Sequence, residues 1–322
     1  KVKQLSKQVQ KGIAATFLKF DEYQFAKYNR NTEITLKDAL FITHPKAETP
    51  EQQQLFDKIV NDDLAVPMTW EVALSQLGQT PFENKEAKAA AVKAQWTALI
   101  DSKKLGYMAL MRNLRNILQA GVDTVHIEKV ASYLSSPEAV RHSKQLPFRF
   151  LAAYRSLSEI RSKHANILRK ALEQAARHST ANIPGFTPAT RLLIASDVSG
   201  SMYQKISPKS SIMLYDIGLI LAMLLQHSTD TMISGIFGDD WLPYSLPGEN
   251  VLESVAELRK NVDKVGYSTN GYKVINYLNQ QQISLDKVLI FTDMQMWNSG
   301  KGEQSIAHEW KEYKRNTAPA AK

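Results

Sequence analysis

The chain has 322 residues, of which 43% are hydrophobic and 22% are charged, and it carries a net charge of +8 without any cysteine. These values are typical of a globular protein with a sizeable core, and they exclude disulfides and thiolate metal sites. No run of eighteen apolar residues occurs, and the basic N-terminus is not followed by the apolar stretch of a secretory signal. We therefore expect a cytoplasmic protein of two domains with no membrane partner.

The positive charge is unevenly distributed along the chain. Residues 1–189 hold the whole excess of basic over acidic side chains, whereas residues 190–322 are close to neutral. Such asymmetry indicates that one part of the chain meets a polyanion while the other does not.

Residues 1–182 are predicted to be helical throughout. The segment TPEQQQLFDKIV begins with a threonine cap and a proline at the first helical position, and TWEVALSQLG ends at Gly78. The segment KEAKAAAVKAQWTALI is rich in alanine, a strong helix former. Helices in series with short connections predict stacked α-hairpins, as in a solenoid, rather than a compact four-helix bundle, although no fixed sequence period is evident.

The segment YMALMRNLRNILQAG predicts one amphipathic helix. Its apolar face holds Tyr107, Leu110, Met111, Leu114 and Leu118. Its polar face holds Arg112, Asn113, Arg115, Asn116 and Gln119. The large aromatic side chains of this region are expected in the core: Trp96, Tyr107, Phe148 and Phe150.

The pattern changes at residues 183–189, which contain prolines and a glycine and are predicted to be a linker. Residues 190–322 then alternate strands with helices, the strands being RLLIASDV, TMISGIF, WLPYSL and KVLIFTDM. This alternation predicts an α/β doubly wound domain with a parallel sheet covered on both faces. The chain starts inside a helical pattern and stops after TAPAAK, so we expect both ends of a larger protein to be missing.

Oxygen-bearing side chains cluster where two of these strands end. Asp197, Ser199 and Ser201 follow the first strand, and Asp293 follows the last. Thr269 lies in the loop GYSTNG, which is expected at the same edge of the sheet. Carboxylates and hydroxyls without His or Cys favour Mg²⁺, with Ca²⁺ or Mn²⁺ as alternatives. The simpler interpretation is that Asp197 and Ser199 only cap a turn.

The D-x-S-x-S motif, the threonine and the second aspartate together resemble the metal-ion-dependent adhesion site of von Willebrand factor A domains. The resemblance implies that Ser199 and Ser201 bind the metal directly and that Thr269 does so directly or through water. It implies that Asp197 and Asp293 act mainly through water. The residue after the threonine is often aspartate in related domains and is asparagine in this chain, which removes one negative charge near the metal.

A basic helical region before an A domain resembles the Ro (TROVE-domain) family of RNA-binding proteins. The resemblance extends over essentially the whole chain and is carried by the segments DEYQFAKY, LKDALFITHPK, YMALMRNLRNI, LPFRFLAAY and DVSGSM. It implies a ring of HEAT-like repeats closed by the A domain. It also implies binding of small Y RNAs on a basic outer face and of single-stranded 3′ ends of misfolded RNAs in the central hole. The implied role is noncoding-RNA quality control, beside an exoribonuclease in bacterial members.

Candidate RNA contacts lie in KYNR, in THPK and in the helix between them: Lys27, Arg30, Lys37, His44 and Lys46. Lysine and arginine would neutralise phosphates, and His44 would stack on a base or bind a phosphate. Each lysine is also consistent with ordinary solvated surface, and His44, which precedes a proline, with a helix end. Arg112 and Arg115 are further candidates, for which internal ion pairing is the alternative.

The sequence also bears on two other classes of function, an enzyme and a protein-binding module. No Ser-His-Asp, H-E-x-x-H or P-loop pattern is evident and D-V-S lacks the second acid of a D-x-D motif, so we expect no enzyme. A protein-binding module, in which an acidic residue of an exoribonuclease or another partner completes the metal coordination, stays open beside RNA binding. We expect no DNA partner.

Overall fold

The computed structural model describes residues 5–29, 32–66, 69–245, 250–295 and 305–322, without the side chains of residues 256–259. The chain forms two compact units, Lys1–Gln95 and Trp96–Lys322. Within the described residues, no helix is long and apolar enough to cross a membrane.

The first unit is made of helices, and the unit boundary falls within the sixth. Their bounds are α1 (Lys7–Phe17), α2 (Glu22–Tyr28), α3 (Leu36–Thr43), α4 (Pro50–Val60), α5 (Trp70–Gln79) and α6 (Lys85–Asp101). Side chains define the starts: Thr35 and Asp38 form a capping box for α3, and Thr49 caps α4 before Pro50. The core of this unit is a cluster of buried side chains: Phe17, Phe25, Leu40, Phe56 and Ile59.

The second unit opens with six further helices. They are α7 (Tyr107–Arg112), α8 (Leu114–Gln119), α9 (Thr124–Ser135), α10 (Pro137–Ser143), α11 (Pro147–Leu157) and α12 (Lys163–His178). The single helix predicted over YMALMRNLRNILQ is wrong, because the chain breaks between α7 and α8 at Asn113. Asn113 is only 2% exposed, and its amide donates to the carbonyl of Ala109 instead of facing solvent.

Three of the four aromatic residues predicted in the core are buried: Trp96, Tyr107 and Phe150. Phe148 is half-buried. Tyr107 also satisfies its hydroxyl by donating to the carbonyl of Leu134, 2.7 Å away, which fixes α7 beside the end of α9.

The predicted linker packs against the sheet. Ile183 and Phe186 contact the apolar cluster under the first strand, and the Lys287 ammonium lies over the Phe186 ring and donates to the carbonyl of Gly185. The predicted domain boundary at 183–189 thus lies inside the second unit, after a 3₁₀ turn at Ser179–Asn182 and before the first strand.

The described residues form a four-stranded mixed sheet in the order β3-β2-β1-β4, with bounds β1 (Arg191–Asp197), β2 (Thr231–Phe237), β3 (Trp241–Pro243) and β4 (Lys287–Phe291). β1 pairs in parallel with β2 and β4, as predicted. β3 pairs antiparallel with β2, so the prediction of a parallel sheet is wrong at this edge. Only residues 238–240 join the two strands, which is too short for a parallel crossover.

Helices cover both faces of the sheet, as a doubly wound fold requires. Their bounds are α13 (Leu214–Leu225), α14 (Val251–Arg259), α15 (Tyr272–Gln281) and α16 (Ile306–Asn316). On one face, Leu192 and Ile194 of β1 pack in the cluster that includes α13 residues. On the other, Leu193 and Ala195 pack in the cluster that includes α15 and α16 residues. Burial on both faces explains why β1 reads as one continuous apolar run.

Candidate metal centre and basic cleft

Three chain segments meet at the carboxyl end of the sheet. β1 ends at Asp197, β2 ends at Phe237, which pairs with Asp197, and β4 ends at Phe291, which pairs with Ser196. Because these strands run in parallel, the residues that follow each of them lie at one edge, where α/β domains bind ligands.

Asp197 is the buried centre of this edge. Its side chain is 0% exposed. One carboxylate oxygen accepts the Ser199 backbone N–H at 2.9 Å, and the other accepts the Thr292 hydroxyl at 2.7 Å. Thr292 was missed by the sequence analysis, although it directly precedes the predicted Asp293. Among the described residues, no Lys or Arg pairs with Asp197.

The predicted serines and the threonine lie beside this carboxylate. The Ser199 and Ser201 hydroxyl oxygens are 3.4 Å apart across the 3₁₀ turn Gly200–Tyr203. The Gly200 N–H donates to the carbonyl of Tyr267 at 3.1 Å, which ties this turn to the loop that carries Thr269. Thr269 itself is 3% exposed.

Asp293 brings the second carboxylate. It is half-buried, and one of its carboxylate oxygens accepts the Gln295 N–H at 3.1 Å. Burial raises the pKa of Asp197 above its usual range, the hydrogen bonds from Ser199 and Thr292 partly oppose this, and the negative charge of Asp293 raises the pKa further. The site therefore concentrates negative charge with no cation of its own among the described residues.

This donor set fits a hydrated divalent cation. The described residues contain no group of three or more His, Cys, Asp or Glu that could hold a metal, so hydroxyls and water would have to complete the coordination. The side-chain oxygen of Asn270, next to Thr269, is buried without a hydrogen-bond partner. A buried acceptor of this kind is costly to leave unpaired, and a metal-bound water would supply the missing donor.

The RNA candidates of the first unit have different surroundings. Lys27 is exposed and lies 5.9 Å and 5.8 Å from the ring centroids of Tyr23 and Tyr28. Lys37 forms a salt bridge of 3.2 Å with Asp62, which partly neutralises its charge. Arg30 lies outside the described residues.

His44 and Lys46 are exposed just beyond α3. His44 caps the C-terminus of α3 in a left-handed conformation with a φ of 44°. The alternative prediction that His44 ends a helix is therefore confirmed. Within the described residues, the recorded ion pair of this group is the one between Lys37 and Asp62.

Arg112 and Arg115 are both exposed, and neither forms an ion pair with a described residue, so the internal pairing considered above is not seen. Arg112 lines a cleft of about 420 Å³ between α7, α11 and the loop that follows the 3₁₀ turn at Ser201. Arg115 does not line it. The structure therefore separates two residues that the sequence places together.

The cleft combines three cations, a flat aromatic ring and hydroxyl groups. Its functional lining is Arg112, Phe148, Arg149, Ser207, Lys209 and Ser210. The Arg149 guanidinium lies 5.4 Å from the Phe148 ring centroid. None of the cleft's lining residues is acidic. Arg149 and Lys209 could not be recognised as partners from the sequence, because only the fold brings the loop after Ser201 against α7 and α11.

A larger cavity of about 970 Å³ lies between the end of α6 and α9. It is lined by charges of both signs, and its Asp101 is already paired with Lys129 at 2.7 Å. A polyanion is therefore better matched by the smaller basic cleft.

Together these features define a protein in which helices precede a von Willebrand A-type domain with an oxygen-rich site at the sheet edge. Residues 62–184 match the family model of the TROVE domain, and residues 191–322 match that of the Ro60 vWA domain. The chain belongs to the Ro (TROVE-domain) family of RNA-binding proteins. The first-unit candidates from Lys27 to Lys46 precede the matched TROVE residues.

Similarity to particular proteins is more limited. The chain has the fold of the Deinococcus radiodurans RO (RSR) protein in its crystal structure, with a TM-score of 0.61 and 20% identity over 96% of this chain and 67% of that one. It is 39% and 40% identical to telomerase protein component 1 of Mus musculus and Rattus norvegicus over 97 residues. That stretch is 30% of this chain but only 3% of each of those proteins.

Proposed function

We propose that the chain binds single-stranded 3′ ends of misfolded RNAs and small Y-like RNAs, as part of noncoding-RNA quality control. We further propose that its A domain holds a divalent cation, preferably Mg²⁺. In this proposal the chain is a binding protein rather than an enzyme, and it acts in the cytoplasm.

The basic cleft is the observation that carries the RNA proposal. Arg112, Arg149 and Lys209 supply positive charge without an acidic residue in the lining, which suits consecutive phosphates. The half-buried Phe148 ring supplies a stacking face for a base. Hydroxyls and cations around one aromatic ring favour single-stranded RNA, whose bases are free to stack, over a duplex.

A second RNA surface is proposed in the first unit. Lys27 with its flanking Tyr23 and Tyr28 combines a cation with aromatic side chains, and His44 and Lys46 are exposed nearby in sequence. Lys37 is the weakest of these candidates because Asp62 already pairs with it. Phosphate contacts here would add affinity with little sequence preference.

The metal proposal assigns each residue of the sheet edge a role. Ser199, Ser201 and Thr269 would hold the cation, while Asp197 and Asp293 would bind its water molecules and balance its charge. A bound cation would supply a Lewis-acidic coordination position to a partner's oxygen. This leaves room for a protein partner, such as an exoribonuclease, that presents an acidic residue.

The test measures binding of a short RNA duplex with a single-stranded 3′ tail across a salt series, beside a blunt duplex and a DNA-tailed duplex. The variants are Arg112→Ala/Lys209→Ala, the matched control Arg115→Ala on the next helix, and Lys27→Ala/His44→Ala. Each sample is measured with MgCl₂ and with EDTA.

We expect tail-dependent binding whose logarithm falls with the logarithm of salt concentration. Each lost phosphate contact should reduce that slope by about 0.7 for a single strand. The cleft variant Arg112→Ala/Lys209→Ala should bind the tailed RNA more weakly and with a smaller dependence on salt concentration. Arg115→Ala should change both quantities little. Equal binding of tailed and blunt duplexes, or equal losses in the cleft variant and the Arg115 control, would contradict the cleft assignment.

Binding that survives EDTA would place the RNA on the helices and the cleft, independently of the metal. RNA binding that requires Mg²⁺ would instead assign the RNA to the metal centre. Absence of any binding by the folded chain at low salt would leave the metal-dependent protein-binding function as the supported alternative.

A further inference from the structure

We infer that Asp239, in the turn between β2 and β3, is a positioning residue for the metal centre, because it holds the loop that presents Thr269. This inference rests on the metal site proposed above. The sequence motif does not include Asp239.

The turn of residues 238–240 and the loop of residues 265–270 are joined by a ladder of hydrogen bonds. One Asp239 carboxylate oxygen accepts the Ser268 N–H at 2.8 Å, directly before Thr269. The Asn270 N–H donates to the carbonyl of Gly238 at 2.8 Å, directly after it. The Asp240 N–H donates to the carbonyl of Val265 at 3.0 Å. Thr269 is therefore held on both sides by one turn.

The packing between the two segments leaves no space for side-chain atoms at two glycines. A Cβ on Gly238 would lie 2.2 Å from the carbonyl oxygen of Gly266. A Cβ on Gly266, whose φ is +74°, would lie 1.9 Å from an Asp239 carboxylate oxygen. Both approaches are far below van der Waals contact, so the glycines allow the Asp239 carboxylate to reach the loop.

The asparagine after the threonine completes the contact. The Asn270 side-chain amide donates to the backbone carbonyl of Asp239 at 2.9 Å. An aspartate side chain at this position would have no N–H to donate to the Asp239 carbonyl. The asparagine of this chain, where related domains often have aspartate, therefore allows this hydrogen bond to form. The same side chain leaves its oxygen buried without a partner, beside Thr269.

Asp239 is thus linked to the loop of residues 265–270 twice, by its side chain to the Ser268 N–H and by its backbone carbonyl to the Asn270 side chain. The Ser268 hydrogen bonds hold the pKa of Asp239 below its usual range, so the carboxylate stays charged. Its neighbour Asp240 is also exposed, but its carboxylate pairs with Lys273 of α15 at 2.6 Å. Asp240 therefore offers a matched control in the same turn.

The test is calorimetric titration of the full chain with MgCl₂, using the wild type, Asp239→Ala, Asp239→Asn and Asp240→Ala. Thermal unfolding in EDTA is measured for each variant. Asp239→Asn keeps an oxygen that can accept the Ser268 N–H, whereas Asp239→Ala does not.

We expect Asp239→Ala to weaken Mg²⁺ binding by about tenfold, the size of effect typical for residues that orient metal ligands. Asp239→Asn should restore most of that affinity, and Asp240→Ala should match the wild type. The unfolding midpoint of Asp239→Ala in EDTA should stay close to that of the wild type, since the side chain is exposed.

Two results would overturn the inference while leaving the metal site intact. One is wild-type affinity in Asp239→Ala. The other is a lowered midpoint in EDTA with no rescue of affinity by Asp239→Asn, which would indicate a purely structural role. A wild-type chain that binds no Mg²⁺ would instead refute the metal proposal itself, and the inference with it.

Discussion

Two aspartates of the A domain are equally buried but differently paired. The side chains of Asp197 and Asp216 are both 0% exposed. The Asp216 carboxylate accepts hydrogen bonds from both terminal nitrogens of Arg155, at 2.6 Å and 2.8 Å, and from the Met213 N–H at 2.8 Å. Among the described residues, Asp197 accepts hydrogen bonds from the neutral donors of Ser199 and Thr292.

This difference separates a carboxylate paired within the chain from one that has neutral hydrogen-bond donors, which is the one we propose to act at a cation site. A buried charge is tolerated when a counter-charge and hydrogen bonds compensate it. Asp216 has its counter-charge within the chain, and the pair joins α11 to the start of α13. Asp197 lies at the end of β1, and in the proposal above a cation from solution would compensate its charge.

The largest expected effect follows from breaking the paired carboxylate. Arg155→Ala leaves Asp216 buried without its cation and should lower the free energy of unfolding by about 3–5 kcal/mol. Arg155 also donates to the carbonyl of Ser211, so the loop before α13 should loosen too. Urea unfolding of the variant and of Arg115→Ala, an exposed control, measures the difference. A loss no larger than that of the control would contradict the structural role of the pair.

A smaller effect is expected at the unpaired carboxylate. Thr292→Val removes the hydroxyl that donates to Asp197 and should lower the free energy of unfolding in EDTA by about 1–2 kcal/mol. Saturating Mg²⁺ should recover part of this loss, since the cation's waters offer new donors. The comparison is urea unfolding with and without MgCl₂. An unchanged stability in EDTA would show that Asp197 does not depend on Thr292.

The smallest effect concerns Asn270. Counting charges alone predicts that Asn270→Asp strengthens Mg²⁺ binding, because it restores the acidic residue of related domains. The hydrogen bond from Asn270 to the Asp239 carbonyl predicts otherwise, and we expect affinity no higher than that of the wild type. Calorimetric titration distinguishes the two, and a clear gain in affinity would contradict the role given to the turn.

Much of the sheet edge could be predicted from the sequence. The continuous apolar run of β1 and the position of Asp197 at its end follow from local pattern, and parallel pairing brings Asp293 to the same edge. Residues that act through distant partners could not be found this way. Thr292 matters because it reaches Asp197, and Asp239 matters because a three-residue hairpin turns it toward Ser268.

The helical part shows the same limit. Helix starts were predictable from their caps, but the polarity of Asn113 hid a buried position that breaks the predicted helix. The salt bridge between Lys37 and Asp62 could not be predicted from the sequence, because the two residues are 25 positions apart. Sequence patterns report which side chains can bind an anion, whereas the fold decides which of them remain unpaired.

The most direct test of the central claim is thermal unfolding of the wild type and of Asp197→Asn, each in EDTA and in MgCl₂. The variant keeps the shape of the side chain and removes its charge. We predict that Mg²⁺ raises the midpoint of the wild type, that it leaves the variant unchanged, and that the variant in EDTA is at least as stable as the wild type. A wild type that does not respond to Mg²⁺, or a variant that responds equally, would contradict the assignment of Asp197 to a cation site.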